Sequence, residues 1–160
     1  KSFDKMNHIK WIFSGQGPLK NELIQKTRKM KNVMYFNLKK ASEIKDWLNI
    51  ADVHLIPQKS TVSDLVMPSK LLGIMASGKS FITNADNNSE LGAIANSVGI
   101  RVEPDDKESF KNGLLNLISN EGLRKELGIK GLRFVKQNYD KELILRNFEE
   151  KVKSRLRKDY

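Results

Sequence analysis

Residues 9–24 read IKWIFSGQGPLKNELI, and this stretch decides the fold class. Its first five residues form an apolar run typical of a buried strand, and the turn-forming residues Gly15, Gln16, Gly17 and Pro18 follow shortly after. Proline suits the first turn of a helix, where a missing N–H costs nothing. The apolar residues beyond the loop recur at helical spacing: Leu19, Leu23, Ile24 and Met30. Strand, glycine loop and helix in this order predict one unit of an α/β domain.

The same alternation continues on the C-terminal side of this unit. Strands are predicted at 33–36, 53–57, 81–83 and 99–102, and helices at 41–50, 71–76 and 90–95, with three more helices after residue 107. Five strands alternating with helices predict a Rossmann-like, doubly wound parallel sheet with C-terminal helices. Without a repeat or a long linker, the sequence predicts a single domain over residues 1–160 with a helical tail at 107–160.

Composition limits the classes of function. The chain has 29 Lys and Arg against 19 Asp and Glu, a net charge of +10, which indicates either an anionic partner or simply a lysine-rich surface. It has no cysteine, which excludes disulfides and thiolate sites, and its two histidines are too few for most metal sites. The longest apolar run is far below the roughly 20 residues that span a bilayer. We therefore expect a soluble, cytoplasmic domain with no metal ion and no cofactor.

The first candidate site is the glycine loop after the first strand. Gly15 and Gly17 would let the main chain approach a phosphate closely, and the following helix would offer free N–H groups. Gln16 lies between them, and Lys20 would add a positive charge nearby. The alternative is a tight turn followed by an exposed lysine that meets only water.

The second candidate site is the start of the helix at 71–76. Pro68 fixes the chain there, and the amides of Ser69, Lys70 and Leu71 would point together at an anion. The Ser69 hydroxyl and the Lys70 ammonium would add charge-assisted hydrogen bonds, so a diphosphate fits. The alternative is that Ser69 only caps the helix and Lys70 is a surface lysine.

The third candidate site is the polar loop after the strand at 81–83. It contains Asn84, Asn87, Asn88, Ser89 and Glu90. These side chains suit sugar hydroxyls, but they are equally typical of turns and helix caps. The sequence leaves this choice open.

The order of these pieces resembles the C-terminal domain of glycosyltransferase family 4, which has the GT-B fold and builds capsule, exopolysaccharide and lipopolysaccharide. The resemblance covers residues 10–106 and rests on five segments: IFSGQGPLKNEL, NVMYFNL, IADVHLIP, PSKLLGIMASGKSFIT and SELGAIANSVGIRVEPDD. It implies a nucleotide diphosphate sugar as donor, with a UDP-sugar favoured over a GDP-sugar. It also implies that an N-terminal acceptor domain, absent from these residues, completes the enzyme, so we expect the chain alone to be inactive.

The resemblance also assigns roles to residues. Gly15 and Gly17 would face the phosphates and the distal sugar, and the main chain around Asn37 and Leu38 would meet the base. The diphosphate would be held by Ser69, Lys70 and Leu71.

This sequence departs from the family at a glutamate pair that flanks the phosphate helix. Gly73 and Leu65 stand at those two positions. Asp64 or Glu90 would substitute only if the loop geometry allows it. The arginine and lysine that usually neutralise the phosphates belong to an upstream strand–helix unit that is absent from these residues.

Two alternatives remain at this stage. One is a GT-B sugar-nucleotide epimerase, and another is a non-catalytic module that binds a nucleotide or a partner. Nucleic-acid binding is disfavoured because the aromatic residues fall at predicted core positions: Trp11, Phe13, Tyr35, Phe36, Trp47 and Phe81.

The last helix raises a separate possibility. Its apolar stripe consists of Ile144, Phe148, Val152 and Leu156, and its basic residues are Lys141, Arg146, Lys151, Lys153, Arg155, Arg157 and Lys158. Such a helix could lie on an anionic membrane, at the inner face of the plasma membrane, or pack on its own domain.

Overall fold

The computed structural model describes Met6, residues 8–58 and residues 69–156, and these residues form α/β structure in two units. The first unit ends at Trp47 and the second begins at Leu48. The predicted α/β class with parallel strands is confirmed. The strands hydrogen-bond in a group of two and a group of three, whereas the sequence predicted one sheet. Alternation along a sequence specifies the elements, but it does not specify which strands pair.

The first unit is built on the predicted strand–loop–helix stretch. Strand β1 (Trp11–Ser14) pairs in parallel with β2 (Val33–Phe36), so that Trp11 lies opposite Val33. Helix α1 (Lys20–Thr27) connects the two strands. The rings of Phe13 and Tyr35 stack across the ladder with centroids 5.6 Å apart.

Helix α1 is shorter than the sequence predicted. It begins at Lys20, two residues after Pro18, and it ends before Met30. Leu19 is 63% exposed, so it does not contribute to the apolar stripe. At the end of the helix, the Thr27 hydroxyl donates to the Leu23 carbonyl at 2.8 Å, a side-chain bond that competes with continued helix.

The predicted helix at 41–50 begins as a 3-10 turn (Ala41–Glu43) and continues as α2 (Ile44–Ile50). The Glu43 carboxylate accepts a hydrogen bond from the Lys40 main-chain N–H at 3.1 Å. This bond satisfies one of the free donors at the start of the segment and fixes where the helix begins.

The second unit contains three parallel strands in the order β3 (Val53–Ile56), β4 (Ser80–Thr83) and β5 (Ile100–Arg101). All four residues of the central strand β4 are buried. Residues His54 and Leu55 lie opposite Phe81 and Ile82. A strand buried on both faces is typical of a parallel sheet covered by helices, as predicted.

Five helices complete the described part of the second unit: α3 (Ser69–Ala76), α4 (Glu90–Val98), α5 (Lys107–Ser119), α6 (Glu121–Asn138) and α7 (Lys141–Leu156). Its main hydrophobic cluster includes Leu71, Met75, Phe81, Leu91 and Ala95. These side chains come from α3, β4 and α4, so the core joins the helices to the central strand.

Helix α6 approaches α3 closely because the side of α6 that faces α3 carries glycines. A Cβ at Gly128 would overlap the Gly78 main-chain carbonyl, and one at Gly131 would lie 3.3 Å from the Met75 side chain. Gly78 has a φ of 69°, a left-handed conformation that favours glycine at the end of α3, as predicted. The pair of glycines on α6 therefore sets the spacing of the two helices.

The predicted burial of the aromatic residues is only partly right. Phe81 is fully buried, whereas Trp11, Phe13, Tyr35, Phe36 and Trp47 are half-buried. The five half-buried rings belong to the first unit, whose two-stranded sheet is too small to cover them fully.

The burial of His54 makes the stability of the second unit depend on pH. Burial lowers the pKa of His54. The hydrogen bond between its ring Nε2 and the Leu48 carbonyl oxygen, 3.0 Å apart, raises the pKa by a smaller amount. The unfolded chain therefore binds this proton more readily, and the free energy of unfolding falls as pH drops below the ordinary histidine value of about 6.5.

We expect His54→Gln to show a smaller loss of unfolding free energy between pH 7.5 and pH 5.5 than the wild type. Urea denaturation at the two pH values measures this. The matched variant His8→Gln, at an exposed position, should keep the wild-type difference. An identical pH dependence for His54→Gln would show that His54 is not the group that titrates.

Candidate functional site

The glycine loop of the first unit has the geometry predicted for it. Gly15 has a φ of 154°, which favours glycine, and its N–H donates to the Phe36 carbonyl at 3.1 Å. A Cβ at Gly15 or Gly17 would meet no atom within 4 Å, so the main chain there is open to a ligand. The Gly17 carbonyl accepts from the Lys20 N–H at 3.0 Å, which begins the helical hydrogen bonding of α1. Gln16 is exposed.

The structure brings two predicted segments of the first unit together. The Lys20 ammonium donates to Asn37 Oδ1 at 2.8 Å, and the Ser14 hydroxyl donates to the Asn37 carbonyl at 3.1 Å. The residue after it, Leu38, is 62% exposed. The sequence predicted that Lys20 contacts either a phosphate or only water. Its ammonium instead has a partner within the protein. An ammonium has three N–H groups, so two remain for a ligand.

A cation–π contact that was not predicted involves Lys39, which follows Leu38 in the chain. The Lys39 ammonium lies 4.6 Å from the Trp47 ring centroid and 5.7 Å from that of Phe36. The two rings meet edge to face with centroids 4.8 Å apart. A lysine directly after a strand, with a tryptophan in the next helix, was the available signal. This contact adds a fixed positive charge next to Leu38.

The groups for which the sequence predicted anion binding lie at the start of α3 in the second unit. Ser69 and Lys70 are exposed, whereas the Leu71 side chain is fully buried and offers a ligand only its main-chain N–H. The first N–H groups of a helix have no partner within it and carry a partial positive charge. Within the described part of the chain, no carboxylate forms an ion pair with Lys70.

The missing glutamate pair has a partial structural explanation. A Cβ at Gly73 would lie 3.1 Å from Leu48 Cδ1, so a glutamate at this position would require Leu48 to move. Leu65, which stands at the other glutamate position, and Asp64 beside it lie outside the described residues, as does Pro68. The role predicted for Asp64 therefore stays a prediction.

The loop after β4 uses most of its polar groups to hold its own shape. Asn84 donates to the Gln58 carbonyl at 2.9 Å and accepts from the Gln58 N–H at 2.8 Å. Ser89 caps α4, accepting from the Gly92 N–H at 3.0 Å. Asn87 Oδ1 accepts from Asn96 at 2.8 Å. Two interpretations were left open for these residues: binding of sugar hydroxyls, or turn formation and helix capping. The observed hydrogen bonds are those of turn formation and helix capping.

Glu90 is the first residue of α4 and is exposed. Its carboxylate accepts a hydrogen bond from the Tyr139 hydroxyl at 3.4 Å. Burial raises the pKa of Tyr139, and the Glu90 charge and hydrogen bond raise it further, so this hydroxyl stays protonated at neutral pH. One Glu90 oxygen remains available to a ligand hydroxyl.

An open groove of about 570 Å³ lies elsewhere in the second unit, on α5 beside β5. Its lining includes Asp106, Glu108, Asn112 and Asn116. Two carboxylates would repel a diphosphate, so this groove fits an anionic donor poorly. The α3 helix start, which bears a lysine and no acidic residue in its first turn, fits it better.

Two absences concern metals and membranes. Within the ranges 8–58 and 69–156, no three His, Asp or Glu side chains are grouped so that they could hold a metal ion. Among the helices that the structure describes, none is long and apolar enough to cross a membrane. The predictions of metal independence and of a cytoplasmic location stay predictions.

Comparison with known proteins supplies the family. The model described as Glycosyl transferases group 1 matches residues 1–134. The chain is 27% identical over 140 residues to a protein of Escherichia coli (strain K12) designated colanic acid biosynthesis glycosyl transferase WcaI. This match covers 86% of the chain and 33% of WcaI, so the chain spans about a third of its relative's length.

Solved structures agree on the fold. Anabaena Alr3699/HepE, crystallised in complex with UDP-glucose, matches with a TM-score of 0.70 and 17% identity, over 92% of this chain and 42% of that one. The C-terminal domain of the group 1 glycosyl transferase LpcC from Francisella tularensis matches with a TM-score of 0.63 and 17% identity, over 88% of this chain and 92% of that one. The fold is that of GT-B glycosyltransferases.

Proposed function

Since this chain belongs to the group 1 glycosyl transferase family and has the GT-B fold, we propose that it is the domain that binds the nucleotide diphosphate sugar donor. The reaction of the complete enzyme would transfer a hexosyl or amino-sugar group from that donor. We favour a UDP-sugar, with a GDP-sugar as the alternative. HepE, a protein of the same fold, was crystallised with UDP-glucose.

The start of α3 is the observation that carries this proposal. Two exposed side chains, Ser69 and Lys70, stand beside the free amides of the first helical turn. Of the predicted sites in the second unit, this one has side-chain donors that form no hydrogen bond or ion pair with the residues that the structure describes. The loop after β4 offers fewer, because Asn84, Asn87 and Ser89 are engaged in hydrogen bonds.

The chemistry of sugar transfer explains why such groups suffice. As the bond between the anomeric carbon and the phosphate breaks, negative charge grows on the departing diphosphate. Helix N-terminal amides and a lysine ammonium placed beforehand stabilise that charge at no cost in reorganisation. We therefore propose transfer without a divalent metal ion.

The acceptor and the cellular role are inferred from relatives. WcaI is named for colanic acid biosynthesis, and LpcC matches through its C-terminal domain. We propose that the chain corresponds to the C-terminal half of an enzyme that extends a surface polysaccharide or a lipid-linked acceptor. The N-terminal half would bind that acceptor, so the chain alone is expected to bind a donor without transferring its sugar.

Calorimetric titration of the purified chain with UDP, GDP and ADP, with and without magnesium, tests the proposal. We expect saturable binding of UDP with the same affinity in both conditions. Binding only with magnesium would contradict metal independence. Binding of none of the three nucleotides would contradict the donor-domain assignment and favour a non-catalytic module.

Helix α7 supports a second role, attachment to an anionic membrane. None of its residues is buried, and Phe148 and Leu156 are 65% and 61% exposed. Basic residues accompany this apolar stripe along the described part of the helix: Lys141, Arg146, Lys151, Lys153 and Arg155. We propose that α7 lies on the membrane that carries a lipid-linked acceptor.

Replacing Lys151, Lys153 and Arg155 by Gln should weaken binding to phosphatidylglycerol vesicles about 100-fold, because each basic residue near an anionic surface contributes about 1 kcal/mol. Co-sedimentation measures the partition coefficient. The control replaces Lys125, Lys130 and Lys136 on α6, which removes the same charge and should have a smaller effect. If both triple variants lose the same amount of vesicle binding, net charge alone attracts the protein to the membrane, and the proposed role of α7 is wrong.

A further inference from the structure

Arg101 on the edge strand β5 is a long charged side chain of which only 13% is exposed. Arginine is seldom this buried unless its N–H groups have partners, because a desolvated guanidinium without hydrogen bonds is costly. Its partners therefore show what the protein uses it for.

The guanidinium holds the loop after β4 at two points. Its Nη1 donates to the Ala85 carbonyl at 3.4 Å, and its Nε donates to Asn96 Oδ1 at 3.2 Å. Asn96 in turn donates to Asn87 Oδ1 at 2.8 Å. An ion pair between Arg101 Nη2 and the Glu103 carboxylate fixes the orientation of the guanidinium group. Arg101 thus contacts the loop both directly and through one intermediate side chain.

The same loop is tied on its other side to the residue that follows β3. The Asn84 amide pairs with both the N–H and the carbonyl of Gln58. The loop therefore connects the carboxyl ends of three adjacent parallel strands, with Gln58 on one side and Arg101 on the other. Ligands of open parallel sheets bind along this edge.

We propose that Arg101 is a positioning residue that fixes this loop, and with it the exposed carboxylate of Glu90, in the arrangement that binds the donor. The inference rests on the proposed function. Arg101 itself does not contact the donor in this account. It acts by keeping the loop in one geometry before the ligand arrives, which lowers the cost of ordering the site on binding.

Amide hydrogen exchange and UDP titration of the variant Arg101→Met test this role together. Methionine keeps much of the apolar stem but removes every hydrogen-bond donor. We expect faster exchange at Asn88 and Gly92 and about tenfold weaker UDP binding, the size of effect seen for residues coupled to a site without touching the ligand. Arg101→Lys, which keeps the charge, should recover part of the affinity.

Two further variants keep the result interpretable. Lys125→Gln removes the same charge from an exposed position on α6 and should leave both measurements unchanged. Asn96→Ala removes the side chain that links Arg101 to Asn87, at an exposed helical site that tolerates alanine, so it serves if Arg101→Met does not fold. It should speed exchange at Asn88 and weaken UDP binding about threefold.

The outcomes separate this inference from the proposed function. Wild-type UDP affinity in Arg101→Met and Asn96→Ala would overturn the inference, even if exchange became faster, because Arg101 would then stabilise the fold alone. A wild-type chain that binds no nucleotide would instead contradict the donor-domain proposal, and unchanged exchange in both variants would show independently that Arg101 does not hold the loop.

Discussion

Phe81→Ala is expected to lower the free energy of unfolding of the second unit by about 3–5 kcal/mol. Phe81 is fully buried on the central strand β4, and its ring lies against Gly99, where a Cβ would come within 2.6 Å of it. The ring fills the space left by that glycine, so its removal opens a cavity that the main chain cannot close. For a domain of ordinary stability this is a large share of the total.

The measurement is urea denaturation followed by circular dichroism at 222 nm, because most of the helices lie in the second unit. Fluorescence serves less well, since both tryptophans, Trp11 and Trp47, belong to the first unit. Phe148→Ala is the matched control. It deletes the same atoms from a side chain that is 65% exposed and should change stability by no more than about 0.5 kcal/mol. Similar effects of the two substitutions would contradict the description of the core.

Lys70→Gln is expected to weaken UDP binding about 10- to 100-fold without lowering the melting temperature. A charge-assisted hydrogen bond contributes about 1.5–3 kcal/mol, and the exposed Lys70 side chain has no ion pair within the described residues that its loss would disrupt. We therefore expect Lys70→Gln to lower the affinity for UDP and to leave the melting temperature unchanged.

Calorimetric titration of Lys70→Gln and Lys125→Gln with UDP distinguishes a local contact from a change in net charge. Both variants lose one positive charge, but Lys125 lies on α6 and pairs with Glu121. We expect wild-type affinity for Lys125→Gln. If the two variants bind UDP equally well, Lys70 is a surface lysine, as the alternative interpretation of its helix start holds.

Much of the fold followed from local chemistry. The strand at 33–36 has the predicted bounds, and α3 ends at Ala76 as predicted, shortly before Gly78, which adopts a left-handed conformation. The start of α1 was misplaced because Pro18 only permits a helical turn and does not require one. The division of the strands into two ladders could not be predicted, since pairing depends on contacts between residues distant in sequence.

The candidate site was predictable in its positions and less so in its contacts. The main-chain features of Gly15 and of the α3 start follow from glycine conformation and helix geometry, which the sequence reveals. The bond from Lys20 to Asn37 joins side chains 17 residues apart, and the Arg101 network joins β5 to a different loop. Only the folded arrangement brings such partners together, so neither could be read from spacing.

We propose above all that a nucleotide diphosphate binds at the start of α3 in the second unit. Titrating the isotope-labelled chain with UDP while recording amide chemical shifts tests it most directly. We expect the largest shifts at Ser69, Lys70 and Leu71. Shifts concentrated instead at Asn112 and Asn116, which line the acidic groove on α5, would contradict it.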